Sequence, residues 1–189
     1  TLTAQALDAY GNLNTGASLS FSFSNPGAGA SLSASSCTTS AGTCSVTLTA
    51  TVAGSYNIAA SLGSNAVGGT NPLTALFVAG PVSAASSTLA IDAGPKTANG
   101  SDAYTLSVTA RDAQGNLVST GSQTFNFSVS GSGASLSAST CSSSGGQCSV
   151  TLRATVAGSY SVTASLAGTP LGVGNPAQAV FVAGPATPG

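Results

Sequence analysis

The stretch "CSVTLTATVAGSY" at residues 44–56 returns almost unchanged at residues 148–160 as "CSVTLRATVAGSY". A shift of 104 residues lays the chain on itself without a gap, and more than half of the overlapping positions are identical. A repeat of that length is itself the usual size of a domain. We therefore predict two tandem domains of the same fold, at residues 1–85 and 86–189.

Within the repeated stretch, apolar residues fall at every second position. Val46, Leu48 and Ala50 alternate with serine and threonine, which is the pattern of a half-buried β-strand. Similar runs recur along both repeats and are separated by turns rich in Gly, Asn and Pro. About seven such strands per full repeat predict an all-β fold made of two tandem immunoglobulin-like antiparallel β-sandwiches.

The end of the stretch, "VAGSY", places Tyr56 and Tyr160 just after a Gly-containing corner, at the start of a strand. This is the position of the tyrosine corner of immunoglobulin-like sandwiches, whose hydroxyl bonds the backbone upstream. Two residues later stand Ile58 and Val162, where antibody domains carry a cysteine. The alternative is that both tyrosines are ordinary aromatic residues at the edge of the core.

Upstream of the stretch, each repeat carries the same predicted turn, "DAYGN" or "DAQGN". Glycine supplies a positive φ in such turns, and Asp or Asn side chains bond the turn backbone. The residues concerned are Asp8, Gly11 and Asn12 in the first repeat, and Asp112, Gly115 and Asn116 in the second.

The second repeat has a leading segment, residues 86–104, that has no counterpart in the first, because Thr1 aligns with Thr105. We expect this segment to hold a strand at Leu89–Ala93, which the first domain then lacks. Either the chain is cut from a longer array of repeats, which we favour, or another chain supplies the missing strand.

In order along each repeat come "DAYGN" or "DAQGN", then "GASLSAS", a short turn, and "SVTLTATVAGSYNIAASL" or its counterpart. This order resembles the bacterial immunoglobulin-like repeats of the invasin and intimin adhesin family, over most of both repeats. The resemblance implies a stalk segment on the bacterial cell surface, with receptor binding left to domains outside this chain. The low charge and the cysteine pair depart from the family pattern.

Each repeat has one cysteine pair, Cys37 with Cys44 and Cys141 with Cys148. Six intervening residues and the absence of His disfavour a zinc site, and the pairs are not C-x-x-C redox motifs. We predict that each pair forms a disulfide between adjacent antiparallel strands of a hairpin. Such bonds persist in oxidising compartments, which predicts an extracellular protein. A metal site or a redox pair is the less favoured alternative.

Catalytic residue types are scarce. The chain has no His and no Glu, which excludes a Ser-His-Asp triad and a pair of glutamates. We predict no enzyme activity and no cofactor. Calcium held by Asp92, Asp102 and Asp112 is a minor alternative.

Charged residues make up 4% of the chain and the net charge is −1, which disfavours binding to nucleic acid. No apolar run approaches the roughly 20 residues of a membrane helix, so membrane insertion is not expected. The expected partners are neighbouring immunoglobulin-like domains of the same or adjacent chains.

These observations predict a non-catalytic stalk or spacer module of a bacterial cell-surface adhesin. One alternative is a subunit of a surface filament or surface layer that assembles through strand donation. A second is a carbohydrate- or receptor-binding module, for which Tyr10 is the candidate residue.

Overall fold

A computed structural model describes residues 1–186 and divides the chain into two compact units, Thr1–Val78 and the part from Ala79 onward. The described residues contain no helix, so none of them forms a helix that could cross a membrane. The all-β prediction is confirmed. Residues 187–189, the end of the predicted second domain, lie outside the described residues.

The strands of the two units follow the sequence repeat. Those of the first unit are β1 Leu2–Gln5, β2 Ser20–Phe23, β3 Ala30–Leu32, β4 Ser36–Thr38, β5 Thr43–Val46, β6 Leu48–Ala50, β7 Gly54–Ile58, β8 Ala60–Leu62, β9 Asn65–Ala66 and β10 Leu73–Phe77. Those of the second are β11 Thr88–Ile91, β12 Lys96–Thr97, β13 Ala103–Thr109, β14 Thr124–Val129, β15 Ala134–Leu136, β16 Thr140–Ser142, β17 Gln147–Ala154, β18 Gly158–Leu166, β19 Thr169–Pro170 and β20 Ala177–Val182.

Two sheets form the second unit. One has the strand order β11-β13-β17-β15, and the other has the order β12-β20-β18-β14-β16 with β19 on β18. Leu106 and Val108 of the first sheet and Phe125, Val162 and Phe181 of the second belong to one buried cluster. This arrangement confirms the predicted immunoglobulin-like sandwich.

The first unit has the same pairings in shorter pieces. β1 pairs with β5 and β3 with β6, while β10 pairs with β7 and the order β4-β2-β8-β9 completes the other layer. Strands β17 and β18 are continuous, whereas their counterparts are interrupted at Thr47 and Ala59. The core of this unit contains Phe21, Val46 and Ile58.

Period-two alternation correctly predicts which side chains face inward. Leu106 and Val108 are fully buried, and Val46 is 3% exposed. In β10 the sequence leaves open whether Phe77 or Val78 faces the core. The structure packs Phe77 against the core and leaves Val78 77% exposed.

The leading segment of the second unit forms two strands rather than the one expected at Leu89–Ala93. β11 ends at Ile91 and pairs with β13, and β12 pairs in parallel with β20 in the opposite sheet. The segment thus crosses from one sheet to the other and closes an edge of each. No described residue of the first unit forms a counterpart to either strand.

Residues 79–85 pack with the second unit. The Ser83 N–H donates to the Arg111 carbonyl at 2.8 Å, and the Gly80 N–H donates to Asp112 Oδ2 at 2.9 Å. The compact second unit therefore begins earlier in the chain than residue 86. The domain boundary between residues 85 and 86 stays a prediction.

Candidate functional site

The corner before β7 and β18 is held by a tyrosine hydroxyl in both units. Tyr56 Oη donates to the Val52 carbonyl at 2.8 Å, and Tyr160 Oη donates to the Val156 carbonyl at 2.8 Å. Both tyrosines are buried, at 7% and 5% exposure. Each hydroxyl therefore satisfies a corner carbonyl while its ring stays in the core.

Close packing around the corner demands a glycine on the opposite loop. Gly133 has φ +93°, and a Cβ there would lie 2.7 Å from Val156 Cγ2. The Tyr160 ring meets Phe181 edge-on with 6.0 Å between centroids, and Tyr104 meets the same phenylalanine at 5.2 Å. The corner tyrosine is thus fixed both by its hydroxyl and by its ring.

In the second unit, each carboxylate oxygen of Asp112 in the "DAQGN" turn accepts two hydrogen bonds. Asp112 Oδ1 accepts from the N–H groups of Gln114 and Asn116, both at 2.9 Å. Oδ2 accepts from Asn116 Nδ2 and from the Gly80 N–H, also at 2.9 Å. These bonds, led by that of the Asn116 side chain, outweigh burial and lower the pKa of Asp112 to about 2. Gly115 permits the turn with φ +85°.

The same turn in the first unit is open to solvent. Asp8 Oδ1 accepts from the N–H groups of Tyr10 and Asn12, and Oδ2 accepts from Asn12 Nδ2 at 3.0 Å. Gly11 again has φ +85°. The hydrogen bond from the Asn12 side chain is the main cause of the lowered pKa of Asp8. Within the described residues, no peptide group occupies the place that Gly80 takes in the second unit.

Both cysteine pairs are disulfide-bonded. The Cα atoms of Cys37 and Cys44 are 5.8 Å apart, and those of Cys141 and Cys148 are 5.9 Å apart. Both separations lie in the usual range for a disulfide.

The predicted placement of the disulfides within a hairpin is wrong. Cys141 lies on β16, which pairs with β14, whereas Cys148 lies on β17, which pairs with β13 in the other sheet. Only Ser144 and Gln147 pair across the two-residue turn, after which the strands diverge toward different partners. The first unit repeats this, with Cys37 on β4 and Cys44 on β5. Each disulfide therefore joins the two sheets where the chain passes between them.

The remaining carboxylates are held separately. Asp92 Oδ2 lies 3.1 Å from Lys96 Nζ, and Asp102 Oδ2 accepts from the Thr97 N–H at 3.1 Å. Within residues 1–186, no group of three or more His, Cys, Asp or Glu side chains could hold a metal ion. The calcium alternative would require such a group from Asp92, Asp102 and Asp112.

Tyr10, the candidate for a binding surface, lies on the open Asp turn and is 91% exposed. Tyr10 lies outside three surface cavities that the described residues of the first unit form. A role in binding carbohydrate therefore stays a prediction.

Sequence reasoning missed a second side-chain clamp. Asn175 Oδ1 accepts a hydrogen bond from the Ala164 N–H at 2.9 Å. Its Nδ2 donates to the carbonyls of Ala164 and Leu171 at 3.0 and 3.1 Å. Asn71 makes the equivalent bonds in the first unit. The signal was present, since both repeats carry Asn-Pro at the same place.

Paired sheets, a tyrosine corner and a carboxylate turn in each unit define a tandem of immunoglobulin-like sandwiches. The chain belongs to the bacterial Ig-like domain (group 1) family, whose sequence profile matches residues 1–78 and 86–182. The match confirms the resemblance described from the repeated motifs. No curated protein matches the chain.

Solved structures of bacterial adhesins share the fold. FdeC, an Escherichia coli adhesin, is similar over 94% of this chain and 56% of its own, at 24% identity and a TM-score of 0.57. InvD of Yersinia pseudotuberculosis is similar over 98% and 54%, at 24% identity and a TM-score of 0.50. Invasin, a bacterial integrin-binding protein, is similar over 96% and 35%, at 22% identity and a TM-score of 0.50. The chain spans about half or less of these structures.

Proposed function

We propose that the chain is a non-catalytic stalk or spacer module of a bacterial cell-surface adhesin. Membership of a bacterial Ig-like family and the tandem repeat support this role. The observation that carries it is the pairing of the strands at the two ends of the second unit, which suits a module that bears tension.

In that unit β12, near the start, runs parallel to β20, at the end. Lys96 pairs with Phe181 and Thr97 with Val182, and the Ala98 N–H donates to the Val182 carbonyl at 2.8 Å. Pulling the ends of the unit apart slides two parallel strands along each other. Their hydrogen bonds are then loaded together in shear rather than opened one at a time.

The two disulfides support the proposed extracellular location, because such bonds persist in oxidising compartments. In this proposal the partners are neighbouring immunoglobulin-like domains, and a receptor is bound by other domains of the adhesin. A hydroxyl-rich surface with few charges suits a spacer that binds neither nucleic acid nor strongly charged ligands.

Single-molecule pulling of the full chain tests the proposal. We expect two unfolding events, with the higher force for the second unit. Ala98→Pro removes the N–H that bonds Val182 and should lower that force, whereas the matched Ala98→Gly variant keeps the donor and should not. A second unit that unfolds without a force peak, or whose unfolding force Ala98→Pro leaves unchanged, would contradict the proposed mechanical role.

A further inference from the structure

The turn that follows β12 carries Asn99-Gly100-Ser101, which matches the Asn-x-Ser acceptor signal for N-glycosylation. Asn99 and Ser101 are both exposed. Asn99 Oδ1 accepts from the Ser101 N–H and from the Asp102 N–H, both at 2.8 Å. This Asx turn places the asparagine carboxamide beside the backbone of the serine, whose hydroxyl completes the acceptor signal.

The turn is tied to the neighbouring strand β17. The Gly100 N–H donates to the Ala154 carbonyl at 2.9 Å, and Arg153 Nη1 donates to the Ser101 carbonyl. Gly100 permits the turn with φ +75°. The acceptor signal is therefore displayed on the surface in a fixed conformation, and no strand has to open to expose it.

The carboxamide of Asn99 has its oxygen occupied and its nitrogen available. Among residues 1–186, Asn99 Nδ2 donates no hydrogen bond, whereas Oδ1 accepts two. When Nδ2 loses a proton, negative charge spreads onto Oδ1, where the two N–H groups stabilise it. The turn therefore favours the form of the side chain that attacks an electrophilic carbon.

A second Asn-x-Ser sequence, Asn126-Phe127-Ser128, provides an internal comparison. It lies within β14, which pairs with β16 on one side and with β18 on the other. Ser128 lies opposite Thr163, and their hydroxyl oxygens are 2.6 Å apart. A backbone held extended between two strands forms no Asx turn. Asn126 therefore matches the acceptor signal in sequence but not in conformation.

We propose that Asn99 is a site of N-glycosylation in the folded protein. The donor is a sugar activated as a diphosphate ester. A bond forms between Asn99 Nδ2 and the anomeric carbon of the sugar, and the bond from that carbon to the phosphate oxygen breaks. The diphosphate leaves with the electron pair, and the amide proton passes to a basic group of the glycosyltransferase.

A glycan suits a protein with so few charges. Charged side chains make up 4% of the chain, and residues 9–91 contain none. A glycan is bulky, and it adds solubility at the surface without requiring charged side chains. The site depends on the exposed turn and not on the mechanical role, so either proposal can fail alone.

Treatment of the full, folded chain with UDP-glucose and a soluble asparagine glycosyltransferase tests the site. Peptide mass spectrometry should find one hexose per chain, on Asn99. Two short peptides, residues 94–104 and 121–131, give the reference rates for the two sequences. Relative to these peptides, the folded chain should favour Asn99 over Asn126 at least about tenfold, because β14 has to open before Asn126 can enter an active site.

Two variants separate the acceptor signal from the fold of the turn. Ser101→Ala removes the hydroxyl but keeps the N–H that bonds Asn99 Oδ1, so modification should be lost while the turn stays intact. Ser101→Thr is the matched control, because it keeps a hydroxyl and should still be modified. Ser128→Ala should leave the modification of Asn99 unchanged.

A second donor, a lipid-linked oligosaccharide with a membrane oligosaccharyltransferase, distinguishes the two sources of activated sugar. Attachment to Asn99 from either donor supports the site. The chain isolated from its own bacterium should carry a glycopeptide at Asn99 and an unmodified peptide at Asn126. The proposal would be overturned by an unmodified Asn99 in that material, by equal relative rates at Asn99 and Asn126 in the folded chain, or by full modification of Ser101→Ala.

Discussion

Replacing Tyr160 by phenylalanine tests the corner because it removes one hydroxyl and keeps the ring. The hydroxyl donates to the Val156 carbonyl at 2.8 Å and lies 3.4 Å from the Ser132 carbonyl. The residue is 5% exposed, so water cannot reach the lost position easily. The variant should therefore destabilise the second unit without creating a large cavity.

The expected size of the effect follows from what each partner loses. A typical intramolecular hydrogen bond contributes about 1 kcal/mol, and a fully buried unsatisfied partner costs up to about 3 kcal/mol. Val156 is 55% exposed, so its carbonyl can be partly hydrated after the change. We expect a loss of about 1–2 kcal/mol in the free energy of unfolding, and a fall in Tm of about 4–12 °C for a unit of this size.

Urea and thermal unfolding of the full chain, with hydrogen exchange to assign each transition to its unit, provide the assay. Tyr56→Phe should shift the first unit's transition in the same way. Tyr10→Phe is the control, because that side chain is 91% exposed and should leave both transitions unchanged. A Tyr160→Phe unit within about 0.3 kcal/mol of wild type would refute the role of the hydroxyl.

Three further predictions concern the disulfides and the carboxylate turn. Replacing Cys141 and Cys148 by serine should cost the second unit about 2–3 kcal/mol through loop entropy, measured as a lower urea midpoint. In pulling experiments, reduction should lengthen each unfolding step by about 20 Å, because the cysteines are separated by 7 positions. Asp112 has a folded pKa of about 2, below its unfolded value of 3.8, so its stabilisation should be lost as pH falls through that interval. The difference in urea midpoint between wild type and Asp112→Asn should shrink between pH 5 and pH 2.5; a constant difference would contradict this.

Much of the fold can be predicted from the sequence because its signals are local. Alternation over a few residues indicates which side chains are buried, as Leu106 and Val108 illustrate. The position of Tyr160 after a glycine corner identifies the type of sandwich. A gapless repeat then extends each inference from one unit to the other.

The sheet assignment of the cysteines could not be predicted in this way. A two-residue turn such as Gly145-Gly146 looks the same in sequence whether the flanking strands stay paired or separate. Here the strands that carry Cys141 and Cys148 pair with β14 and β13, which belong to different sheets, and a local pattern does not show this choice of partner. β12 was missed for a related reason, since two residues are too few to show a period.

The carboxylate turn of the second unit depends on a contact from the segment that precedes it. Asp8 and Asp112 lie in the same sequence context, yet only Asp112 is buried, because Gly80 of the preceding segment lies against it. That segment also supplies Leu89 to the core and β12 to the last strand. One segment thus donates a hydrogen bond to the Asp112 carboxylate, adds Leu89 to the core and forms the parallel pair of β12 with β20. In the proposed stalk, tension that enters through this segment therefore acts first on β11 and then on β12, which pair with one edge strand of each sheet.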